Sequence, residues 1–470
     1  MSQNVHFIGI AGIGMSATAL LMRQQGWNVT GSDEGFYPPA SVLLPKAGIV
    51  VRTPHDAGNI PANADLIVIG KHAKLTMENA EVAAAFASGK PITSYPDVLA
   101  GIARARKSLV VVGSYGKSTS ASLLAWALNV AGRDPGYFVG AVPKNLGQNS
   151  SLGSAAEFVI EGDEYPSSNT DPRAKFLHYD ARTVLMTAAV HDHVNIFPTQ
   201  ADYEKPFAEL VSRIPADGLL VSCKDEAHAM KIAAEASCKV ATYALSDTSA
   251  DYHLDDIVYG EVSRFTLVAR GRRHAGFETT LLGAHNLQNM AGAAAMLLEL
   301  KLVSVDDLRK AFASFLGVVR RMDKLTERSS IPVYEGFGSS RDKARAAIDA
   351  IALHFPGRRL QIVFEPHTFS WRNRSTIHWY DDVFKGADRI FISAPPDHGA
   401  GTHEQVSYDE IAERVAATGC EVLRLSHDRD VNVKTIVSQL HPGDVVLVLT
   451  SGDLGGLIVE LVADMERRFV

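Results

Sequence analysis

Over residues 5–105, short runs of Val, Ile and Leu alternate with stretches whose apolar residues recur every three to four positions. The runs "VHFIGI", "WNVTGS" and "LIVIG" read as buried strands, and "MSATALLMRQQG" and "NAEVAAAFASG" as helices. This βαβ rhythm predicts a parallel sheet with helices on its faces. The rhythm restarts at "SLVVVGSYGKSTSASLLAWALNVAG" and continues through "EFVIEG", "TVLMTAA" and "GLLVSC" toward the alanine-rich helix "NLQNMAGAAAMLLELKL". A third pattern follows "RRMDKLTERSSIPVYEGFG", with strands expected at "LQIVFE", "RIFISAP" and "VVLVLTSG". Three α/β units are expected, with boundaries near 107 and 327 and no internal repeat.

Composition narrows the class without choosing a function. A chain of 470 residues, 46% hydrophobic and 21% charged, can build several complete cores as a soluble globular protein. A net charge of −7 and a pI of about 6.2 argue against nucleic acid or an anionic membrane as partner. Three cysteines, Cys223, Cys238 and Cys420, form no CxxC pair, which argues against a disulfide framework or structural zinc and favours a reducing compartment, the cytoplasm by default. They are expected to be small core residues. The first residues lack a basic leader, and no apolar run approaches the roughly 20 residues of a membrane span.

Candidate chemistry lies at the turns between strands and helices. In "GIAGIGMSA", Gly9, Gly12 and Gly14 would let backbone N–H groups approach a pyrophosphate at a helix start. Asp33, in "VTGSD", falls where a ribose-binding acid would sit, although the spacing is GxxGxG and not GxGxxG. The stretch "GSYGKST" is a shortened phosphate cradle. Gly113 and Gly116 permit the turn, Lys117 can neutralise β- and γ-phosphates, Ser118 can ligate magnesium, and Thr119 adds a hydroxyl. Downstream, "EFVIEGDEYP" ends a strand in Glu161, Asp163 and Glu164, and "VLMTAAVHDHVNIF" ends another in His191, Asp192 and His193. The carboxyl ends of parallel strands share the rim of a phosphate loop, so these groups are candidates to hold magnesium beside a γ-phosphate.

In this order the motifs resemble those of the Mur ligase family, the ATP-dependent amide-bond-forming enzymes of peptidoglycan assembly, over essentially the whole chain. "GSYGKST" is similar to the family's GTxGKTT loop, "EGDE" to its E-A-D-E segment, and "HDH" to the end of N-x-E-x-D-H. "GAHNLQN" at 283–289 matches G-x-H-N-x-x-N, and "FLGVVRRMD" at 315–323 resembles the F-x-G-x-x-R-R-x-E hinge. Within the family, "GSDEGFYPP", "EGDEY" and "AKFLHY" resemble the branch that joins UDP-N-acetylmuramate to the tripeptide L-alanyl-γ-D-glutamyl-meso-diaminopimelate in murein recycling. "FEPHTFSWRNR" at 364–374 is closer to the branch that uses L-alanine. Two segments depart from the family. N-x-E-x-D-H has become Ala188-Ala189-Val190-His191-Asp192-His193, and D-D-[FY]-A-H-H-P has become "EGFGSSR", with Gly336, Ser339 and Ser340 where a carboxylate and two histidines stand.

The resemblance implies a three-domain α/β architecture. A Rossmann-like N-terminal domain, 1–107, would bind the UDP-sugar through Gly9, Gly12, Gly14, Met15, Ser32 and Asp33. A P-loop ATPase-like central domain, 108–327, would bind ATP through Gly113, Ser114, Tyr115, Gly116, Lys117, Ser118, Thr119, His285, Asn286, Asn289 and the hinge residue Arg321, with Arg320 a structural hinge contact. Lys117, Glu164 and His193 would be catalytic, with magnesium on Ser118, Glu164 and His193. A Rossmann-like C-terminal domain, 328–470, would bring the acceptor, with His367, Arg372 and Arg374 candidates for its carboxylates and a packing patch around Trp371 as the alternative. The implied partners are small molecules, UDP-N-acetylmuramate and an amino acid or peptide, acting on a monomer or weak homo-oligomer. Two other classes stay open: a nicotinamide-dependent dehydrogenase, which leaves "GSYGKST" and "GAHNLQN" unexplained, and a catalytically silent nucleotide-binding protein, suggested by the replaced segments.

Overall fold

The N-terminal apolar run forms the strand Asn4–Ile8, which is buried on both faces and so sits inside its sheet. In a computed structural model that describes residues 3–193, 196–319, 322–395 and 404–470, the strand order is Val50–Arg52, Asn28–Ser32, Asn4–Ile8, Leu66–Ile69 and Ile92–Thr93. All pairs in this sheet are parallel. The winding reverses between Asn4–Ile8 and Leu66–Ile69, which opens a crevice at their carboxyl ends. Helix α1 (Ile13–Gln24) starts there, with Gly12 as its N-cap.

The central sheet has ten strands, ordered Arg272–Thr279, Ser263–Ala269, Tyr252–Val258, Lys239–Ala244, Leu219–Cys223, Thr183–Met186, Lys107–Val112, Glu157–Glu161, Gly136–Phe138 and Ser150–Ser151. It is parallel from Tyr252–Val258 across to Gly136–Phe138. Val110, Val111 and Val112 are fully buried, and each such side chain contributes about 1.5–3 kcal/mol relative to exposure. Helix α2 (Lys117–Val130) follows the Lys107–Val112 strand, and its apolar positions are buried almost throughout. Helix α3 (Ala284–Glu299) is the alanine-rich helix expected from the sequence. The three strands between Tyr252 and Thr279 carry half-exposed, charge-rich positions, and the βαβ pattern does not anticipate them.

The third sheet is ordered Asp323–Lys324, Val333–Phe337, Val445–Thr450, Leu360–Phe364, Arg389–Ile392 and Glu421–Arg424, so it takes in residues ahead of the expected boundary near 327. It is parallel except at Asp323–Lys324. Helix α4 (Arg341–His354) buries Ala344, Ile348 and Ile351 against it. Trp371 belongs to this core: it is 1% exposed, its ring centre lies 5.0 Å from that of Phe364, and its Nε1 donates to the Gly338 carbonyl at 2.7 Å.

Contacts divide the chain into two compact units. One comprises Met1–Ile257, Phe265–Thr279 and His285–Val318, and carries the first glycine turn and the phosphate loop. The other comprises Val258–Arg264, Thr280–Ala284 and Val319–Val470. Cys223, Cys238 and Cys420 are free thiols. Among the described residues no helix is long and apolar enough to cross a membrane.

Candidate active site

The phosphate loop is built on two glycines that no other residue could replace without strain. Gly116 caps α2 with φ +79°, in the left-handed region, and a Cβ there would lie 2.5 Å from Asn289 Oδ1. Gly113 has φ +139°, and a Cβ there would meet Thr187 Oγ1 at 2.2 Å, so the loop lies directly on the end of the neighbouring strand. Ser114 is tied back, its hydroxyl donating to the Val190 carbonyl at 2.6 Å, and the Tyr115 hydroxyl donates to Glu226. The result is a loop held open at the start of a helix, where N–H groups and the positive helix end favour an anion.

Lys117 is the cation of that loop. Its Nζ donates to the Gly113 carbonyl and to Glu164 Oε2 at 2.9 Å. The Glu164 side chain is fully buried and also accepts from the Tyr203 hydroxyl at 3.0 Å, while His193 Nε2 lies 3.3 Å from Oε1. Burial raises the Glu164 pKa, but the His193 hydrogen bond and the Lys117 charge outweigh it and hold the carboxyl at about 2. The same hydrogen bond raises the pKa of His193 against a smaller opposing effect of burial. His193 itself has φ +57°, and its Nδ1 is 2.9 Å from the Tyr165 hydroxyl. The sequence pointed to Lys117, Glu164 and His193 separately, and the fold brings all three into contact. Tyr203, on the helix Gln200–Arg213, joins them with no motif to mark it.

Ser118 faces a different carboxylate from the one expected. Its hydroxyl donates to Glu161 Oε1 at 2.8 Å, and Glu161 Oε2 accepts the Gly140 N–H at 2.6 Å. Thr119 is buried at the start of α2. Among the described residues no group of three or more His, Cys, Asp and Glu side chains could hold a metal ion. Two carboxylates and a hydroxyl on one rim still fit magnesium, which completes its shell with phosphate and water oxygens. His193, bonded through both ring nitrogens, is oriented toward Glu164.

Helix α3 supports the loop from behind. Asn289 is buried, and its Oδ1 accepts from the Ser120 hydroxyl at 3.2 Å as well as facing Gly116. Asn286 is buried three residues earlier on the same helix and His285 is exposed at its start. Arg320 and Arg321 lie outside the described residues.

At the N-terminal turn, Asp33 accepts the Ala11 N–H at 2.8 Å, so the acid orders the glycine loop itself. Gly14 lies against Tyr95, whose ring a Cβ would meet at 2.8 Å, and Gly9 has φ +85°. The side chains of Met15 and Ser32 point inward. Met15 is 4% exposed in the core, and the Ser32 hydroxyl is 3.1 Å from His55 Nδ1, which also lies 3.0 Å from buried Glu81. These two residues can offer a pyrophosphate only their backbone.

In the second unit, His367 Nδ1 lies 3.1 Å from Glu365 Oε2, at the carboxyl end of the Leu360–Phe364 strand. Of the two arginines, Arg374 is placed otherwise than expected. Arg372 is 4% exposed. Arg374 is bidentate to Glu410, with Nη2 2.9 Å from Oε2, because its planar fork matches a carboxylate supplied by the helix Tyr408–Ala416.

Residues 4–107 match the model described as "Mur ligase family, catalytic domain", and residues 111–297 match the Mur ligase middle domain. The chain is 30% identical to UDP-N-acetylmuramate–L-alanine ligase of Desulfosudis oleivorans over 99% of each chain. It is 29% identical to UDP-N-acetylmuramate–L-alanyl-γ-D-glutamyl-meso-2,6-diaminoheptandioate ligase of Haemophilus influenzae over 97% of each. The fold is also that of the crystal structure of UDP-N-acetylmuramate-alanine ligase from Thermotoga maritima, with TM-score 0.78 and 21% identity over 99% of each chain.

Proposed function

Since this chain belongs to the Mur ligase family and is an ATP-dependent ligase that forms amide bonds, we propose that its electrophile is the carboxylate of UDP-N-acetylmuramate and its acceptor the murein tripeptide L-alanyl-γ-D-glutamyl-meso-diaminopimelate. The reaction belongs to peptidoglycan recycling in the cytoplasm. The division of labour is that expected at 1–107, 108–327 and 328–470, in a monomer or weak homo-oligomer. The supporting observation is the Lys117–Glu164–His193 constellation around a buried carboxylate at a phosphate loop, in the same compact unit as a glycine turn suited to a nucleotide pyrophosphate.

A carboxylate is a poor electrophile because its oxygen leaves badly. In the first step a carboxylate oxygen attacks the γ-phosphorus of ATP, the bond to the β-phosphate oxygen breaks, and ADP leaves an acyl phosphate. In the second, the acceptor amine attacks the acyl carbon, the bond to phosphate breaks, and the amine loses its proton as the amide forms. Two anions must meet in the first step, and Lys117 neutralises charge on the transferring phosphoryl group. Magnesium, held by Ser118, Glu161 and Glu164, with His193 orienting Glu164 in place of the ligand role expected of it, would add Lewis-acid stabilisation of the same oxygens. Glu164 stays ionised at any working pH, with His193 and Tyr203 fixing its orientation. Gly113 to Thr119, His285, Asn286 and Asn289 would form the ATP site, Asn289 from behind the loop. Gly9, Gly12, Gly14, Met15, Ser32 and Asp33 form the UDP-sugar site. His367 and the buried Arg372 are kept as acceptor residues, whereas Arg374 is reassigned to a structural ion pair with Glu410.

The test is mass spectrometry of the products formed from ATP, magnesium and UDP-N-acetylmuramate with the tripeptide or with L-alanine. The expected product is the UDP-N-acetylmuramoyl tripeptide, with one ADP and one phosphate per bond. The segment "EPHTF" favours a second reading, the L-alanine ligase, which a higher kcat/KM for L-alanine would establish. ATP binding with neither product would leave a silent nucleotide-binding protein.

A further inference from the structure

Lys71 follows the Leu66–Ile69 strand at the crevice of the N-terminal sheet, one residue past Gly70. It is exposed and, among the described residues, makes no hydrogen bond or ion pair. Its Nζ lies 5.9 Å from the centre of the Tyr165 ring. Lys175 Nζ lies 5.8 Å from the centre of the same ring and 5.5 Å from that of Tyr95. Two ammonium groups therefore share one aromatic ring, and Lys175, with its side chain 11% exposed, is paired with Asp163. The Asp163 carboxylate acts on both cations. Partial burial and the Lys175 charge both disfavour the Lys71 ammonium, and an added anion would offset them.

The segment that carries Lys71 is fixed in place. Asn169 Nδ2 donates to the carbonyls of His72, at 3.1 Å, and Leu75, at 2.8 Å, which ties it to the loop after Tyr165. The Tyr165 ring leads on to the phosphate site: its hydroxyl is bonded to His193, His193 lies beside Glu164, and Glu164 is paired with Lys117. A ligand anion at the two lysines thus stands between the crevice that suits a nucleotide sugar and the loop that suits a γ-phosphate.

Resting on the ligase reading above, we propose that Lys71 and Lys175 bind the carboxylate of the nucleotide sugar, and that Lys71 makes the site select an acid-bearing sugar over a neutral one. Two ammonium groups on one carboxylate keep it ionised for attack and offset its repulsion from the triphosphate. Lys175 is already partly neutralised by Asp163. Lys71 brings the uncommitted charge.

The experiment is calorimetric binding of UDP-N-acetylmuramate and of UDP-N-acetylglucosamine, which lacks the lactyl acid, to the parent, Lys71→Met and Lys71→Arg proteins. The parent is expected to prefer the acid-bearing sugar. Lys71→Met should weaken that ligand by about 10- to 100-fold, the usual worth of a charge-assisted hydrogen bond, and leave UDP-N-acetylglucosamine unchanged. Lys71→Arg should keep most of the preference, and ATP binding should not change in either variant. An undiminished preference in Lys71→Met overturns the proposal and leaves the ligase reading standing. Failure of the parent to bind either sugar overturns the substrate reading, and this proposal with it.

Discussion

Asn289 occupies the space that a side chain at residue 116 would need: a Cβ built on Gly116 lies 2.5 Å from Asn289 Oδ1, which also accepts from Ser120 at 3.2 Å. The phosphate loop and α3 are therefore fitted to one another. Gly116→Ala should lose about 1–2 kcal/mol to the left-handed backbone alone, more as Asn289 is displaced, and raise the KM for ATP. Asn289→Ala opens that space, so the double variant should be less destabilised than the sum of the singles in urea unfolding. Strict additivity would mean that the two residues do not press on one another.

Lys117→Ala should reduce product formation by about 10²- to 10³-fold, the usual effect of removing one donor to a transferring group. It should also lower the melting temperature, because Glu164 is left as a buried carboxylate without its cation. Turnover within a factor of two of the parent would remove Lys117 from the chemistry.

Glu164 sets a pH dependence of stability. Its carboxyl has a folded pKa of about 2 against an ordinary 4.5, so its contribution is present above about pH 4.5 and is lost as pH falls toward 2. That contribution is ~3 kcal/mol for a fully buried group. The unfolding free energy of the parent should therefore fall more steeply than that of Glu164→Gln over this window. Without the carboxylate, the His193 pKa should drop back toward its ordinary 6.5, which NMR titration of the imidazole would read directly.

Glu161 takes the Ser118 hydroxyl, so Glu161→Gln should raise the magnesium concentration needed for half-maximal activity more than Asp163→Asn does. Asp163 is turned to Lys175 instead. Equal magnesium curves for the two variants would take Glu161 out of the metal site.

Arg374→Ala tests the reassignment of an acceptor arginine to a structural one. Both partners of the Arg374–Glu410 pair are more than a third exposed and screened by water, so its loss should leave the melting temperature close to the parent's. The KM for the tripeptide should stay within about twofold. A large rise in that KM with an unchanged melting temperature would restore Arg374 to the acceptor site.

The sequence alone determined the features that are local in the chain. Strand runs such as "SLVVV" and "LQIVF", the glycine turns at 9–14 and 113–116, and a lysine and hydroxyl at a helix start are contiguous patterns, because backbone conformation and helix capping are settled within a few residues. The order of those patterns along the chain carried the family. Tertiary structure decided which side chain each candidate meets. Lys117 and Glu164 are 47 residues apart, and Ser120 and Asn289 are 169 apart. Ser118 chose Glu161 over Glu164, Met15 and Ser32 turned inward, and Arg374 found Glu410 in place of a ligand. No spacing rule reports those choices. A charged or hydroxyl side chain goes to whichever partner the packed sheets and helices leave within hydrogen-bond reach, and desolvation makes that partner nearly obligatory.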